Sequence, residues 1–156
     1  EFNPWPPNCW VGTTVTNQTD ADERLPWLAQ VKAVVRFVSH EPLLGHIGLP
    51  DAIRVPVPGM GGENFLFPLG GTIQWAIIGA MTGPGAVRPE PEWITSLVGQ
   101  YRAAGVPVFL KDNLHGLVGL PWKSPGRLST GWKRLKPTSR PRPHADQPWP
   151  QEFPVA

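Results

Sequence analysis

Polar side chains that could bind a ligand follow each of four apolar segments of this 156-residue sequence. Parallel α/β folds bind their ligands at the carboxyl ends of the strands, so side chains in these positions are the first candidates for a site. Lys111 and Arg88 would bind an anionic group, and no residue is assigned a catalytic role. The predicted ligand-binding residues are Thr14, Asn17, Ser39, Glu41, Thr82, Arg88, Lys111 and Asn113.

Glu41 and Lys111 are the most informative pair in this set. They are explained equally well as a buried ion pair at the mouth of the fold and as contacts to a ligand, and both explanations stay open. In either case we expect them to lie close together, at the carboxyl ends of the second and fourth core strands, because an unpaired charge shielded from water at this end of the fold is costly. The adjacent His40 is a lone histidine, and we expect it to be exposed to solvent.

Other candidates also have structural explanations. Thr14 is equally consistent with an ordinary strand residue, and Asn17 with a turn residue that hydrogen-bonds its own backbone. Arg88 ends the segment GPGAVR and is readily explained as a solvated loop residue. That segment is not a phosphate-binding Walker loop, because the G-K-S/T residues of such a loop are absent. Serine-hydrolase, H-E-x-x-H and C-x-x-C patterns are absent as well.

The whole sequence contains one cysteine, Cys9. It excludes an intramolecular disulfide and any cysteine-rich metal or iron–sulfur site built by this chain alone, so we predict no metal and no cofactor held by this chain.

The N-terminal segment has neither the basic nor the apolar region of a signal peptide, which together with the lone cysteine predicts a cytoplasmic location. No apolar run approaches the roughly 18 residues that a membrane span needs, so no membrane partner is expected.

Charge and proline content divide the sequence in two. Residues 1–120 hold seven basic and ten acidic residues, whereas residues 121–156 hold seven basic and two acidic residues and eight of the 21 prolines. A segment of the second kind has little apolar surface to bury. We therefore predict a domain over residues 1–117, with an irregular insertion at 46–71, and a Pro-rich basic tail over 118–156 that is extended or partly ordered.

Strands and helices are predicted to alternate along the domain. Thr19 is predicted to cap a first helix that Pro26 makes short or kinked. Apolar strands that alternate with helices indicate parallel βαβ units, and hence an α/β fold with about four parallel strands, either half of a TIM-type (β/α) barrel or a small open sheet. The predicted strands are residues 9–16, 33–39, 73–78 and 106–111, the main helix is 92–104, and a hairpin pairs Ile53–Val57 with Phe65–Phe67.

Three blocks of the sequence resemble one protein family. They are NPWPPNCWVGTTVTNQTDADERLPWL, AVVRFVSHEPLLGHI and IQWAIIGAMTGPGAVRPEPEWITSLVGQYRAAGVPVFLKDNL, in the order and with the gaps of the family. They are similar to the second half of the bacterial and phage radical-SAM-like proteins of unknown function, the DUF5131 family. The resemblance covers about residues 4–113, and it departs from the family at Gln74, where an aspartate is usual, and in the spacing before Arg88.

The resemblance implies a TIM-barrel-like fold related to radical SAM enzymes. In the family, the first half carries a three-cysteine motif expected to hold a 4Fe–4S cluster that cleaves S-adenosylmethionine reductively. That half is missing here and Cys9 matches none of the cluster cysteines, so the resemblance implies a C-terminal half that contributes substrate or S-adenosylmethionine contacts and is inactive alone. The ligand contacts carried over from the family are Thr14, Asn17, Glu41, Thr82 and Lys111.

Two kinds of partner follow from these observations. The missing first half, or a second copy of the chain, would cover open sheet edges. In the alternative function the chain is a non-enzymatic bacterial or phage module whose basic tail binds nucleic acid or a protein partner, with Trp122, Trp132 and Trp149 stacking on bases. A plainer explanation is that the tail packs its tryptophans back on the sheet. Because the cluster motif is absent, the sequence leaves open whether the chain is an enzyme.

Overall fold

The computed structural model describes residues 5–117, apart from residues 7, 58, 60, 61, 115 and 116. The predicted tail at 118–156 lies outside the described residues, so its extended state and its contacts stay predictions. Within the described part of the chain, no helix has the length and apolar character needed to cross a membrane.

Four of the described strands form one sheet in the order β1-β2-β5-β6, and every neighbouring pair is parallel. The predicted α/β class and the four parallel core strands are confirmed. In chain order the elements are β1 (Trp10–Thr14), α1 (Gln18–Ala29), β2 (Val35–His40), β3 (Ala52–Pro56), β4 (Asn64–Pro68), α2 (Leu69–Thr72), β5 (Trp75–Ile78), α3 (Pro91–Ala103) and β6 (Val108–Leu110), followed by a 3-10 turn at Asp112–Leu114.

Each core strand is shorter than its predicted range. Ile73 and Val106 are buried, yet both lie outside the paired segments of β5 and β6. The apolar pattern of a sequence reports which residues are buried, whereas a strand ends where its ladder of hydrogen bonds ends. The difference therefore concerns the ends of the strands and leaves their number and direction unchanged.

The helix α1 begins at an Asn17 cap. Asn17 has an extended backbone, and its side-chain oxygen accepts a hydrogen bond from the Asp20 amide at 3.0 Å, which satisfies one free N–H of the first turn. The prediction that Thr19 caps this helix is therefore wrong. Of the two effects predicted for Pro26, a short helix is wrong, because α1 runs for 12 residues through Pro26, and a kink stays a prediction. Burial of its apolar side offsets the backbone hydrogen bond lost at the proline. The buried residues are Ala21, Leu25, Leu28 and Ala29.

A hairpin and the short helix α2 connect β2 to β5, where a βαβ unit ordinarily has a longer helix. β3 pairs antiparallel with β4, and Ile53 lies opposite Phe67, which confirms the hairpin predicted inside the insertion. Ile53 and Val55 are buried, and β3 packs against α1. The hairpin thus contributes apolar side chains to the same core as the helices.

The helix α3 has a proline at its start and a glycine after its end. Pro91 occupies the first helical position, where its missing N–H would have no partner. Gly105 has a φ of 72°, a left-handed conformation that glycine adopts readily after a helix. The helix predicted over 92–104 is confirmed within one residue at each end, and its buried residues are Ile94, Leu97 and Tyr101.

Arg36 is a charged residue within the apolar strand β2. Its guanidinium donates to the carbonyl oxygens of Thr72 at 2.6 Å and Val31 at 3.0 Å, and burial lowers its pKa. Its backbone amide donates to the side-chain oxygen of Gln74 at 2.8 Å. The side-chain amide of Gln74 thus joins the start of β5 to β2.

His40 is completely buried, so the expectation of an exposed histidine is wrong. Its Nδ1 lies 2.7 Å from the Val15 carbonyl oxygen, and its Nε2 lies 2.8 Å from the hydroxyl of Tyr101. A carbonyl only accepts, so Nδ1 carries the proton and Nε2 accepts from the Tyr101 hydroxyl. Burial lowers the pKa of His40 to about 4 and raises the pKa of Tyr101. The polar partner that makes this burial possible lies 61 residues away along the chain.

Tyr101→Phe should lower the free energy of unfolding by about 1–2 kcal/mol, because it leaves Nε2 of His40 buried without a donor. The wild-type protein should also lose stability as the pH falls from 6.5 towards about 4, the pKa of His40 in the folded chain. In this window the unfolded state binds a proton that the folded state excludes, and the full loss is about 3 kcal/mol. Urea denaturation in buffers above and inside this window measures both effects.

Two histidine variants separate this effect from the titration of other groups. His40→Gln should flatten the pH dependence, because the titrating ring is gone. His46→Gln removes an exposed histidine and should leave the pH dependence as it is in the wild type. If His40→Gln and the wild type showed the same pH dependence, another group would be responsible for it.

Candidate ligand-binding site

One face of the four-stranded sheet carries polar side chains at its carboxyl ends. Successive residues of a strand point to opposite faces, so residues in register on neighbouring strands form rows. Backbone hydrogen bonds from Gly79 to His40 and from Lys111 to Ile78 continue the ladder one residue beyond the strands. The last two rows on this face are Thr14, Ser39, Ile77 and Phe109, and then Glu41, Gly79 and Lys111.

Aromatic rings fill the same face toward the amino ends of the strands. Trp75 contacts Trp10, Phe37 and Phe109, with ring centroids 5.8, 6.0 and 6.2 Å apart. Gly12 leaves room for Phe37, since a Cβ atom there would lie 2.4 Å from Cζ of the ring. The polar rows therefore lie beside a packed apolar surface.

Glu41 and Lys111 meet across the end of β5. Lys111 Nζ donates to Glu41 Oε2 at 2.6 Å, although the two residues follow strands separated by roughly 10 Å, two strand spacings. Gly79 lies between them, and a Cβ atom on it would be 3.0 Å from Cδ and Oε1 of Glu41. The prediction that the two residues lie together is confirmed. Their side chains are 28% and 42% exposed, so the pair is not the fully buried ion pair of the first explanation.

Asn113 holds the second carboxylate oxygen of Glu41. Its Oδ1 accepts from the Ala80 amide at 3.1 Å, and its Nδ2 donates to the Ala80 carbonyl at 2.8 Å and to Glu41 Oε1 at 3.3 Å. Both hydrogens of the amide are thus used within the protein. We call Glu41, Lys111 and Asn113 the Glu41 cluster. The observed role of Asn113 is to orient Glu41, and its ligand contact stays a prediction.

Thr14 and Ser39 carry hydroxyls in the row next to the Glu41 cluster. The two residues are in register on β1 and β2, and Thr14 is exposed while Ser39 is half-buried. Within the described residues, no hydrogen bond engages either hydroxyl. Each hydroxyl could therefore donate to and accept from a bound ligand.

Asn17 belongs to the cap of α1 and not to the Glu41 cluster. Its Nδ2 donates to Thr16 Oγ1 at 3.0 Å, in addition to the cap bond made by its oxygen. The Thr16 hydroxyl and amide donate to the Asp20 carboxylate at 2.6 and 2.9 Å, and these hydrogen bonds lower the pKa of Asp20. This local network agrees with the structural explanation of Asn17.

Thr82 and Arg88 lie on the loop between β5 and α3. Both are exposed, and Gly83 and Gly85 give the loop two left-handed turns with φ of 99° and 75°. Among the described residues, no hydrogen bond or ion pair joins Thr82 or Arg88 to the Glu41 cluster. Their ligand contacts therefore stay predictions that depend on where a ligand would reach.

The role of Gly79 was not found from the sequence. The signal that could have identified it is a glycine directly after a core strand, at the same distance beyond β5 as Glu41 lies beyond β2. A position of this kind is consistent with a side chain from a neighbouring strand crossing over the backbone.

Within the part of the chain that is described, no group of three His, Cys, Asp or Glu residues could hold a metal ion.

A double-mutant cycle on Glu41→Ala and Lys111→Ala should give a coupling free energy of about 1 kcal/mol. The coupling is small because both side chains are partly exposed and water screens the pair. Urea unfolding of the wild type, the two single variants and the double variant measures it. A coupling near zero would mean that the pair does not form in solution, and about 3 kcal/mol or more would mean that it behaves as a buried pair.

Gly79→Ala should destabilise the protein by about 1 kcal/mol and reduce the coupling between Glu41 and Lys111, because the new methyl group displaces the Glu41 carboxylate. Gly99→Ala is the matched control. Gly99 is exposed within α3 and a Cβ atom there meets nothing within 4 Å, so this change should stabilise the helix by about 0.5–1 kcal/mol. Thermal melts of both variants test this contrast in stability. The Glu41–Lys111 double-mutant cycle repeated in the Gly79→Ala background measures the coupling, and an unchanged coupling free energy would contradict the role given to Gly79.

Comparison with known proteins identifies a family. A family model described as "Protein of unknown function (DUF5131)" matches residues 1–120. No curated protein and no solved structure matches the chain. The matched range includes all the described elements and the whole Glu41 cluster.

Proposed function

Because this chain belongs to the DUF5131 family of proteins of unknown function, we propose that it forms the second half of a radical-SAM-like (β/α) barrel. The Glu41 cluster is then its share of the ligand site. In this proposal the chain supplies contacts to S-adenosylmethionine or to the substrate, and it is inactive until a complementary half completes the barrel.

The strand order is the observation that carries this proposal. In a (β/α) barrel each strand pairs with the next parallel strand along the chain, and the core strands here follow one another in that way, as β1-β2-β5-β6. A doubly wound sheet instead reverses its order at a switch point. Buried residues of α1 and α3 share one core cluster with strand residues such as Val38, Ala76 and Val108, which supports both helices packing on the same face of the sheet, as on the outside of a barrel.

The chain does not fit the iron–sulfur cluster that a radical SAM enzyme requires. It contains one cysteine, whereas such clusters are held by three or four thiolates. The complementary half would therefore hold the cluster, which supplies the electron for cleavage of S-adenosylmethionine. Cys9 has no role in this proposal.

The contribution of this chain is to bind and orient a ligand at the carboxyl ends of the strands. Lys111, held by Glu41, would donate hydrogen bonds to an anionic group, since an ammonium has three donors and the Glu41 carboxylate takes one of them. The hydroxyls of Thr14 and Ser39 would bind polar groups beside it. Arg88 and Thr82 are further candidates on the exposed loop.

The complementary half is proposed to be the cysteine-bearing first half of the family. It could precede these residues in the same polypeptide or lie on a separate chain, and a second copy of this chain is the alternative partner. Nucleic-acid or partner binding by the tail at 118–156 is the alternative function. It rests on residues outside the described part of the chain, so the geometry of the described residues does not favour it.

Co-expression with the first half of a family member should test the proposal. We expect the two halves to purify together and, after anaerobic reconstitution, to hold a 4Fe–4S cluster and bind S-adenosylmethionine, whereas the isolated chain should hold no stoichiometric cluster because it has one thiol. Lys111→Ala should weaken the binding of S-adenosylmethionine or substrate by about tenfold, the loss of one charged hydrogen bond.

Lys32→Ala is the control variant, because it removes an exposed lysine before β2, at the opposite edge of the sheet. It should leave ligand binding unchanged. Failure of this chain to associate with any first half, or association without an effect of Lys111→Ala on binding, would contradict the proposal at its two separate steps.

A further inference from the structure

A half-open surface cavity of about 560 Å³ lies at the amino-terminal edge of the sheet, opposite the Glu41 cluster. It opens between the loop before β3, the start of α2 and the last turn of α3. Its volume is within the range of small-molecule sites. Because it lies at the other end of the strands, an inference about it does not rest on the proposed function.

The walls of this cavity are joined by hydrogen bonds and are therefore preformed. The side-chain oxygen of Gln100 on α3 accepts from the Leu49 amide at 2.6 Å, and its Nε2 donates to the Ile47 carbonyl at 2.9 Å. The Leu69 amide at the start of α2 donates to the Asp51 carbonyl at 2.9 Å. The loop is thus tied to both helices.

The one charged residue that lines the cavity is acidic. Asp51 contributes a carboxylate, and no cationic side chain is among the ten residues that line the cavity. Ala103 and Ala104 line it at the carboxyl end of α3, where the helix dipole is negative. Within the described residues, no hydrogen bond reaches the carbonyl oxygen of either alanine. The site therefore favours a hydrogen-bond donor that carries positive charge.

The remaining lining is apolar and close-packed. Leu49, Leu69 and two prolines supply apolar surface beside the carboxylate. Gly70 lets α2 approach α3, since a Cβ atom on it would clash with the Ala104 carbonyl oxygen at 1.9 Å. A ligand that fits both kinds of surface has a charged amino group and a small apolar part. We propose that this cavity binds a small organic ammonium ion.

Benzylammonium is a suitable probe, with benzyl alcohol as its uncharged counterpart. In a titration of the ¹⁵N-labelled chain, benzylammonium should cause saturable shifts of the amide signals of Gly70, Gly71 and Ala104. Benzyl alcohol should bind at least about tenfold more weakly, because it lacks the charged hydrogen bond to Asp51. Equal affinity for the two probes, or shifts confined to other residues, would overturn the proposal without bearing on the barrel.

Three variants test the assigned groups. Asp51→Asn should weaken benzylammonium by about tenfold and leave benzyl alcohol unchanged, whereas Glu63→Gln, which removes an exposed carboxylate on the hairpin, should change neither. Ala103→Phe fills the cavity from an exposed position and should abolish binding of both probes. Wild-type affinity in Asp51→Asn would overturn the proposal. If a variant fails to fold, the comparison of the two probes on the wild type still decides.

Discussion

The geometry of the carboxyl edge depends on the two hydrogen bonds of the buried His40 ring. One bond reaches the Val15 carbonyl just beyond β1, and the other reaches Tyr101 on α3, so a single side chain joins two strands and a helix inside the core. Successive strand residues point to opposite faces, and with His40 fixed in the core, Glu41 must point to the other face. A slip of one residue in β2 would exchange them, with an unpaired carboxylate in the core.

The Glu41 cluster joins the ends of three strands and leaves the Lys111 side chain accessible to solvent. Glu41 accepts hydrogen bonds from residues that follow β6, and Asn113 is fixed to the end of β5 through both polar groups of Ala80. The ends of β2, β5 and β6 are thereby held in one arrangement. Since Lys111 remains 42% exposed, its pairing contributes little to stability and leaves its other donors accessible from solvent. In the proposed function, these exposed donors are the ones that would bind the ligand.

The connection between β2 and β5 shows how the fold keeps its core without a second long crossover helix. The hairpin packs buried side chains of β3 against α1, while hydrogen bonds tie the loop before β3 to both α2 and α3 at the amino edge. The same connection shapes the cavity at that edge. The two ends of the sheet therefore have different chemistry, with a partly exposed ion pair at one end and a carboxylate-lined cavity at the other.

The sequence by itself determined the α/β class, the four parallel strands, the main helix and the proximity of Glu41 and Lys111. Apolar periodicity, the Pro91 and Gly105 signals and the position of a residue after a strand are local properties, and local physics decides them. Tertiary structure alone decided the burial of His40, the passage of the Glu41 side chain over Gly79 and the hydrogen bond from Asn113 to the Glu41 carboxylate. Each of these depends on a partner distant along the chain, and register and packing determine which partners meet. Asn17 and Thr19 are both good capping residues, and the hydrogen bonds that join Thr16 and Asn17 to Asp20 place the start of α1 after Asn17.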